Sequence, residues 1–228
     1  LVESRASTLR TDIITLIRHY TQMLRRHIVS ESDIADLCRR IYQKHQRALD
    51  LIYEHRPDRQ TVIQMILEKL IQETPDIILD AHLKRHIRFA VQEWDVPILL
   101  EGKEWTASHR ILLFEFRNEV DSLKLSLYIG PGPQETRQKL FDMATQKMPP
   151  FKPANKTLNN KWNAIYHYQQ PFLTPKLYED ASDDKLEAEI RKHWTAFLEN
   201  DLPKIKAALK AEDWIWQFAN TISPMQGG

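Results

Sequence analysis

The residues whose types and spacing most suggest chemistry are Glu101, Gly102 and Lys103, which follow a short apolar run at residues 96–100. A glutamate and a lysine two positions apart point to the same side of a strand. In metal-dependent nucleases two carboxylates hold a divalent cation, and a lysine steadies the attacking water or the developing charge. The stretch therefore raises the hypothesis of a nuclease site that uses Mg²⁺ or Mn²⁺.

Such a site needs another carboxylate from a neighbouring strand, and the sequence offers Asp80 and Asp95. Asp95 is too close to Glu101 in the chain to come from a separate strand, and Asp80 falls at a predicted helix start, where capping explains it. Pro97 and Gly102 also interrupt a strand. The favoured interpretation of Glu-Gly-Lys is therefore a turn with exposed charges, and the metal site stays an alternative.

Basic residues recur along the chain and could form a phosphate-binding surface. The candidates for nucleic-acid contact are Arg18, Arg25, Arg26, Lys84, Arg85, Arg88 and Arg137. Arg137 follows the stretch YIGPGP, where the free backbone N–H groups of a helix start would suit an anion. A plain strand-to-helix turn is the favoured interpretation of that stretch, and acidic neighbours such as Glu31 and Asp33 favour ordinary solvated charge.

The composition is typical of a soluble globular protein of one large or two small domains, with 42% hydrophobic and 28% charged residues in 228. The 32 lysines and arginines balance 31 acidic residues, so any binding of nucleic acid must come from a local patch. The sequence holds one cysteine, no apolar run as long as a membrane span and no signal-peptide pattern at its start. We therefore expect a cytoplasmic protein that contacts no membrane.

Residues 1–95 are predicted to form a helical region, because apolar residues recur there at three- and four-residue steps. Helices are predicted over residues 9–28, 34–52 and 58–71, and a fourth over about 79–94. Pro57 and Pro75 end the second and third helices. Cys38 lies on the apolar stripe of the second helix, which predicts a small buried side chain.

Residues 96–228 show a different pattern. RILLFEFRN and SLKLSLYIG are predicted to be antiparallel strands joined through NEVDS, and WNAIYHYQQPFL a further strand. A helix follows Pro133, and two helices complete the chain, one capped by Asp183 or Asp184 and the other over about 203–219. The predicted fold is α+β and mostly helical, with N-terminal helices, a small antiparallel sheet and C-terminal helices, and the two regions can pack as one domain.

Three segments, in this order, carry a resemblance to a known family. They are KHQRAL at residues 44–49, WTASHR at residues 105–110 and IGPG at residues 129–132. With the surrounding segments, residues 9–145 resemble the C-terminal half of a bacterial family of the PD-(D/E)XK nuclease superfamily. The resemblance implies that the catalytic Asp and E-x-K of that family lie upstream of Leu1.

The function that this resemblance implies is contact and not chemistry. The chain would be the accessory C-terminal region of a nuclease-like bacterial protein, used in defence against foreign DNA, without a cofactor of its own. Its partners would be DNA, an attached or partner nuclease domain, or a second copy of the chain. Two alternatives stay open: a self-contained nuclease using Glu101, Lys103 and Asp80 or Asp95 with Mg²⁺ or Mn²⁺, and a non-catalytic protein-interaction or oligomerisation module.

Overall fold

The computed structural model describes residues 31–54 and 58–217, together with Thr15, Arg18 and His19. Over these residues the protein has an α+β fold, which confirms the predicted fold class. The chain divides into two compact units, Leu1–Pro57 and Asp58–Gly228. Within the part of the chain that the structure describes, no helix is long and apolar enough to cross a membrane.

The first unit contributes one described element, helix α1, Glu31–Glu54, which confirms the helix predicted over residues 34–52. The backbone is non-helical at His45, so the helix is kinked there. The apolar residues predicted to pack inward are exposed, among them Ile34, Leu37 and Ile41. Cys38 is exposed as well, so its predicted burial is wrong, because no described element of this unit covers the stripe.

The second unit begins with helix α2, Arg59–Glu73, as predicted. The Asp58 side chain caps the helix by accepting a hydrogen bond from the Thr61 N–H, which satisfies one of the unpaired donors of the first turn. The face of α2 that is directed inward is fully apolar. Its buried residues are Ile63, Ile66, Leu67, Leu70 and Ile71.

The helix predicted over about 79–94 is wrong, because this segment is a β-hairpin of strands β1, Ile77–Leu83, and β2, His86–Val91. Its apolar residues fit both a helical step and a strand alternation, and pairing of β2 with β3 decides for the strand. The turn between β1 and β2 is tied to β3, since the Asn118 side chain donates to the Lys84 carbonyl at 3.0 Å. Residue 95, where the sequence suggested a boundary, therefore lies in the chain between two paired strands.

The remaining strands are β3, Leu112–Asn118, β4, Leu123–Ile129, and β5, Asn163–His167. They confirm the three strands predicted after residue 96, including the antiparallel pairing of β3 with β4. The sheet has the order β1-β2-β3-β4-β5, and all neighbours are antiparallel. Each strand therefore alternates between a face that packs on helices and a face that does not.

The core lies between one face of the sheet and the helices α2 and α5, the latter spanning Asp183–Ala196. Its centre is aromatic. Phe89 and Phe114 stack with ring centroids 5.0 Å apart, and Trp194 and Phe197 meet these two rings edge-on at 5.2 Å each. These contacts bury large apolar side chains in favourable ring geometries, so they stabilise the packing of the sheet against the helices.

The other helices are α3, Gln134–Gln146, α4, Pro175–Asp180, α6, Leu202–Lys210, and α7, Asp213–Trp216. α3 begins directly after Pro133 as the sequence predicted. The N-cap position of α5 is Ser182, so the capping role predicted for Asp183 or Asp184 is wrong, and both lie in the first turn. The helix predicted over about 203–219 is interrupted, because the Leu209 carbonyl accepts from the Glu212 N–H and the Trp216 indole, which ends α6.

Candidate functional site

A row of polar side chains crosses the sheet on the face opposite the core. Arg88 pairs with Glu115, Glu115 with Ser126 and Ser126 with His167, so four neighbouring strands contribute one residue each. The adjacent row holds His86, Arg117 and Lys124. Polar residues alternate here with the core residues of the same strands, which is the pattern of a sheet with one solvated face.

Four members of these rows form the floor of a recess of about 280 Å³, which we call the polar-face recess. It is lined by His86, Arg88, Trp105, Glu115, Arg117, Tyr128 and Trp162. A larger hollow of about 440 Å³ lies along α1, and the described residues that line it all belong to that helix. The polar-face recess, in contrast, is a hollow in which polar groups from separate elements converge.

Glu115 lies at the centre of the recess, with only 6% of its side chain exposed. Its Oε2 atom accepts a hydrogen bond from Arg88 Nε at 2.8 Å, while His86 Nδ1 and an Arg117 nitrogen approach Oε1 at 3.3 and 3.6 Å. A carboxylate this buried needs cationic partners to offset its lost hydration. Two arginines face one glutamate, so the recess has a net positive charge.

Arg88 is held from its other side by Trp105, whose ring centroid lies 5.4 Å from the guanidinium carbon. Trp105 in turn lies flat against Gly130 at the end of β4. A Cβ atom at Gly130 would stand 2.0 Å from the Trp105 ring, so only glycine permits this contact. The first glycine of the IGPG segment therefore positions Trp105, and through it Arg88.

The exposed members of the recess are Arg117 and Trp162, with 47% of the arginine side chain and 48% of the tryptophan accessible. Arg117 donates a hydrogen bond to the Tyr128 hydroxyl at 3.2 Å. Burial raises the pKa of Tyr128, so the phenol stays protonated at neutral pH. The Lys161 ammonium lies 5.6 Å from the Trp162 ring centroid. A cation and an aromatic face thus stand together at the surface.

Ser126 and His167 form a further polar pair, with Ser126 Oγ 2.9 Å from His167 Nδ1. Partial burial, and then the charges of Lys152 and Arg117, lower the pKa of His167 below its ordinary range, so the ring is neutral at pH 7. A histidine beside a hydroxyl is the beginning of a nucleophilic site, but such sites also need a group that orients the base. Among the described contacts of His167 no carboxylate has that role.

The structure brings Asp80 and Asp95 together, although not around a metal. Arg110 donates to Asp80 Oδ2 at 2.6 Å and, through Nε, to Asp95 Oδ1 at 2.7 Å. Asp80 lies in β1 with 2% of its side chain exposed, so its predicted place at a helix start is wrong. The hydrogen bonds that Arg110 donates to Asp95 raise the pKa of Arg110, and this guanidinium occupies the position between the two carboxylates.

Glu101 and Lys103 are exposed, in an irregular segment before β3. The Gly102 N–H donates to the His109 carbonyl at 2.6 Å, and a Cβ atom at Gly102 would lie 2.7 Å from that same oxygen. Since this segment is not a strand, the E-x-K spacing does not direct the two side chains to one side. Among the described residues no three acidic, histidine or cysteine side chains form a group that could hold a metal ion.

The predicted basic candidates are dispersed. Arg18 is exposed and helical, whereas Arg25 and Arg26 lie outside the described residues. Lys84 and Arg85 form the turn between β1 and β2, where they pair with Asp58 and Glu119. Among the candidates that the structure describes, Arg88 is the one that lines the polar-face recess.

Arg137 supports the recess from below the surface, with 3% of the residue exposed. Its guanidinium donates to three backbone carbonyls, those of Gly130 at 2.9 Å, Asn159 at 2.5 Å and Lys161 at 2.8 Å. These bonds join the glycine beneath Trp105 to the segment that carries Trp162. The residue predicted to bind an anion at a helix start therefore donates most of its N–H groups to the protein's own backbone.

Sequence reasoning missed most of the recess, namely Trp105, Glu115, Arg117, Tyr128 and Trp162. A signal was present in LFEFRN and SLKLSLY, where polar residues alternate with core residues at a strand period. Compared with known proteins, the chain matches no protein-family profile, no curated protein and no solved structure.

Proposed function

We propose that this chain is a non-catalytic DNA-binding region, the accessory part of a nuclease-like bacterial protein that acts against foreign DNA. The observation that carries the proposal is the exposed pair of Arg117 and Trp162 in one recess on the open face of the sheet. Arginine contacts phosphate oxygens, and an aromatic face contacts bases. The resemblance to the C-terminal half of a PD-(D/E)XK family supports the accessory role.

Binding explains the charge arrangement better than catalysis does. Glu115 is engaged by its cationic neighbours, and Asp80 and Asp95 are engaged by Arg110. A carboxylate held in this way is poorly placed to accept a proton or to bind a cation. What the recess offers to a ligand is positive charge and aromatic surface.

The test is fluorescence anisotropy of a labelled oligonucleotide with the purified chain. We expect Arg117→Ala to weaken binding about tenfold, since a charge-assisted contact to phosphate is lost. Arg191→Ala is the matched control, because Arg191 lies on α5 with 46% of its side chain exposed, nearly as much as Arg117. Equal effects of the two substitutions, or no binding by the unaltered chain, would contradict the proposal.

A second candidate function, a protein-interaction or oligomerisation module, is favoured by α1. Its exposed apolar side chains Ile34, Leu37 and Ile41 recur at steps of three and four residues before the kink at His45, and Leu51 is exposed after it. Apolar stripes of this kind pack against other helices. Sedimentation of the chain over a wide concentration range tests this candidate. If the unaltered chain is a monomer at every concentration, and Leu37→Lys sediments in the same way, self-association is excluded.

A further inference from the structure

The polar-face recess combines a ring that stands in solvent with cations that lie below it. Trp162 is 48% exposed at the surface, whereas the Arg88 side chain is 14% exposed and the Glu115 side chain 6%. Arg117 is 47% exposed and donates a hydrogen bond to the Tyr128 hydroxyl. A ligand can therefore contact Trp162 and Arg117 from the surface, but it must enter the recess to reach Arg88 or Glu115.

A DNA duplex is poorly suited to this shape. In a duplex the faces of the bases are covered by the neighbouring base pairs, so an aromatic side chain can stack only on a base that is unpaired. A duplex could still bring a phosphate to Arg117, but the exposed ring of Trp162 would then have no base to stack on. An unpaired strand, in contrast, can present a base to Trp162 and its own phosphate to Arg117.

The size and surroundings of the recess agree with one nucleotide unit. Its volume of about 280 Å³ lies near the lower end of the range for small-ligand sites. Lys124 pairs with Arg117 across the strands, and Lys161 lies beside Trp162, so exposed positive charge continues on both sides. Successive phosphates of one strand could follow this charge.

The floor offers little that would distinguish one base from another. Glu115 is the acidic group of the floor, and its oxygens are directed at Arg88, His86 and Arg117. Stacking on an aromatic ring tolerates every base, because every base has an aromatic face. The recess is therefore suited to a strand of any sequence.

Building on the proposed function, we infer that the polar-face recess binds single-stranded DNA in preference to duplex, with one unpaired base on Trp162 and its phosphate on Arg117. The affinity then depends on two separable contacts, one aromatic and one ionic. Only the ionic contact is available to a duplex.

The test compares a labelled single strand with the duplex of the same sequence, for the unaltered chain, Trp162→Ala and Trp162→Phe. We expect the unaltered chain to bind the single strand at least about tenfold more tightly than the duplex. Trp162→Ala should weaken single-strand binding about tenfold and leave duplex binding unchanged, while Trp162→Phe should retain most of the affinity.

The outcomes separate this inference from the proposed function. Equal affinity for both forms, with sensitivity to Arg117→Ala, would overturn the preference for single strands and leave DNA binding intact. Absence of binding to either form would overturn both. Loss of duplex and single-strand binding to the same extent in Trp162→Ala would also overturn the stacking contact, provided that circular dichroism shows an unchanged fold.

Discussion

At the scale of single residues, Glu115 determines how the recess is arranged, because it collects two arginines and a histidine around one buried carboxylate. Its role is positioning and not contact with a ligand. Arg88 in particular has few alternatives, since it is confined between Glu115 and the Trp105 ring. Removing the carboxylate would leave a largely buried cation without its partner, which is costly.

We therefore expect Glu115→Gln to lower the free energy of unfolding by about 2–3 kcal/mol, measured by urea denaturation. The control is Glu187→Gln, because Glu187 also contacts two cations, Lys69 and Arg191, but is 35% exposed. A surface pair of that kind contributes at most about 1 kcal/mol. The role assigned to Glu115 is wrong if the two variants lose the same stability.

At the scale of elements, the end of β3 joins three parts of the unit through Asn118, which is fully buried. Its side-chain amide donates to the Gln60 carbonyl at 2.8 Å and the Lys84 carbonyl at 3.0 Å, and its backbone N–H donates to the Arg85 carbonyl at 3.0 Å. The asparagine thereby ties α2 and the hairpin turn to the sheet.

Asn118→Ala removes two side-chain hydrogen bonds from a fully buried position, so we expect a loss of about 2 kcal/mol in the free energy of unfolding. Faster amide hydrogen exchange in β1 and β2 should accompany it, since the turn is released. Asn200→Ala serves as the control, because Asn200 donates to the Ala196 carbonyl at the protein surface. Its expected effect is within about 0.5 kcal/mol. Unchanged exchange in the hairpin of Asn118→Ala would refute the link.

The elements also show what the sequence could predict. β3 and β4 can be predicted because their alternating apolar residues match the period of a strand and do not match that of a helix. The hairpin was missed because its turn, Lys84-Arg85, carries no glycine, proline or asparagine, and because Leu79, Leu83, Ile87 and Val91 also fit a helical step. Pairing of β2 with β3 in the folded protein decides between a helix and a strand, and the local sequence pattern does not contain this pairing.

The candidate site was less predictable than the fold, for a physical reason. Trp105 and Trp162 come from irregular segments on either side of β3 and β4, and only the folded sheet brings them to one recess. The E-x-K spacing was the stronger local pattern, yet it lies in a loop that Gly102 and His109 close by backbone contact. Arg88, predicted to contact nucleic acid from a helix, lies on a strand and lines the recess.

At the scale of the whole molecule, the net charge of +1 means that no long-range field attracts DNA. Binding should therefore depend on the few cations near the recess, of which Arg117, Lys124 and Lys161 are exposed. For a single strand each phosphate contact contributes about −0.7 to the slope of log affinity against log salt concentration.

We expect a slope of about −2 for the unaltered chain, measured by anisotropy between low and physiological salt. Arg117→Ala should make it shallower by about 0.7, whereas Arg191→Ala should not change it. A much steeper slope, typical of proteins with many phosphate contacts, would mean that more cations bind DNA than the recess offers. The binding surface would then lie elsewhere on the molecule.

The carbonyl bonds of Arg137 give the recess a mechanical property. They fasten the end of β4 to the segment before Trp162, and the Asn163 side chain closes that segment by bonding the backbone of Asn159 in both directions. These hydrogen bonds connect the rim of the recess to its floor. On the proposed function, little protein would have to be ordered when a strand of DNA binds, so we expect fast association and an affinity set mainly by the dissociation rate.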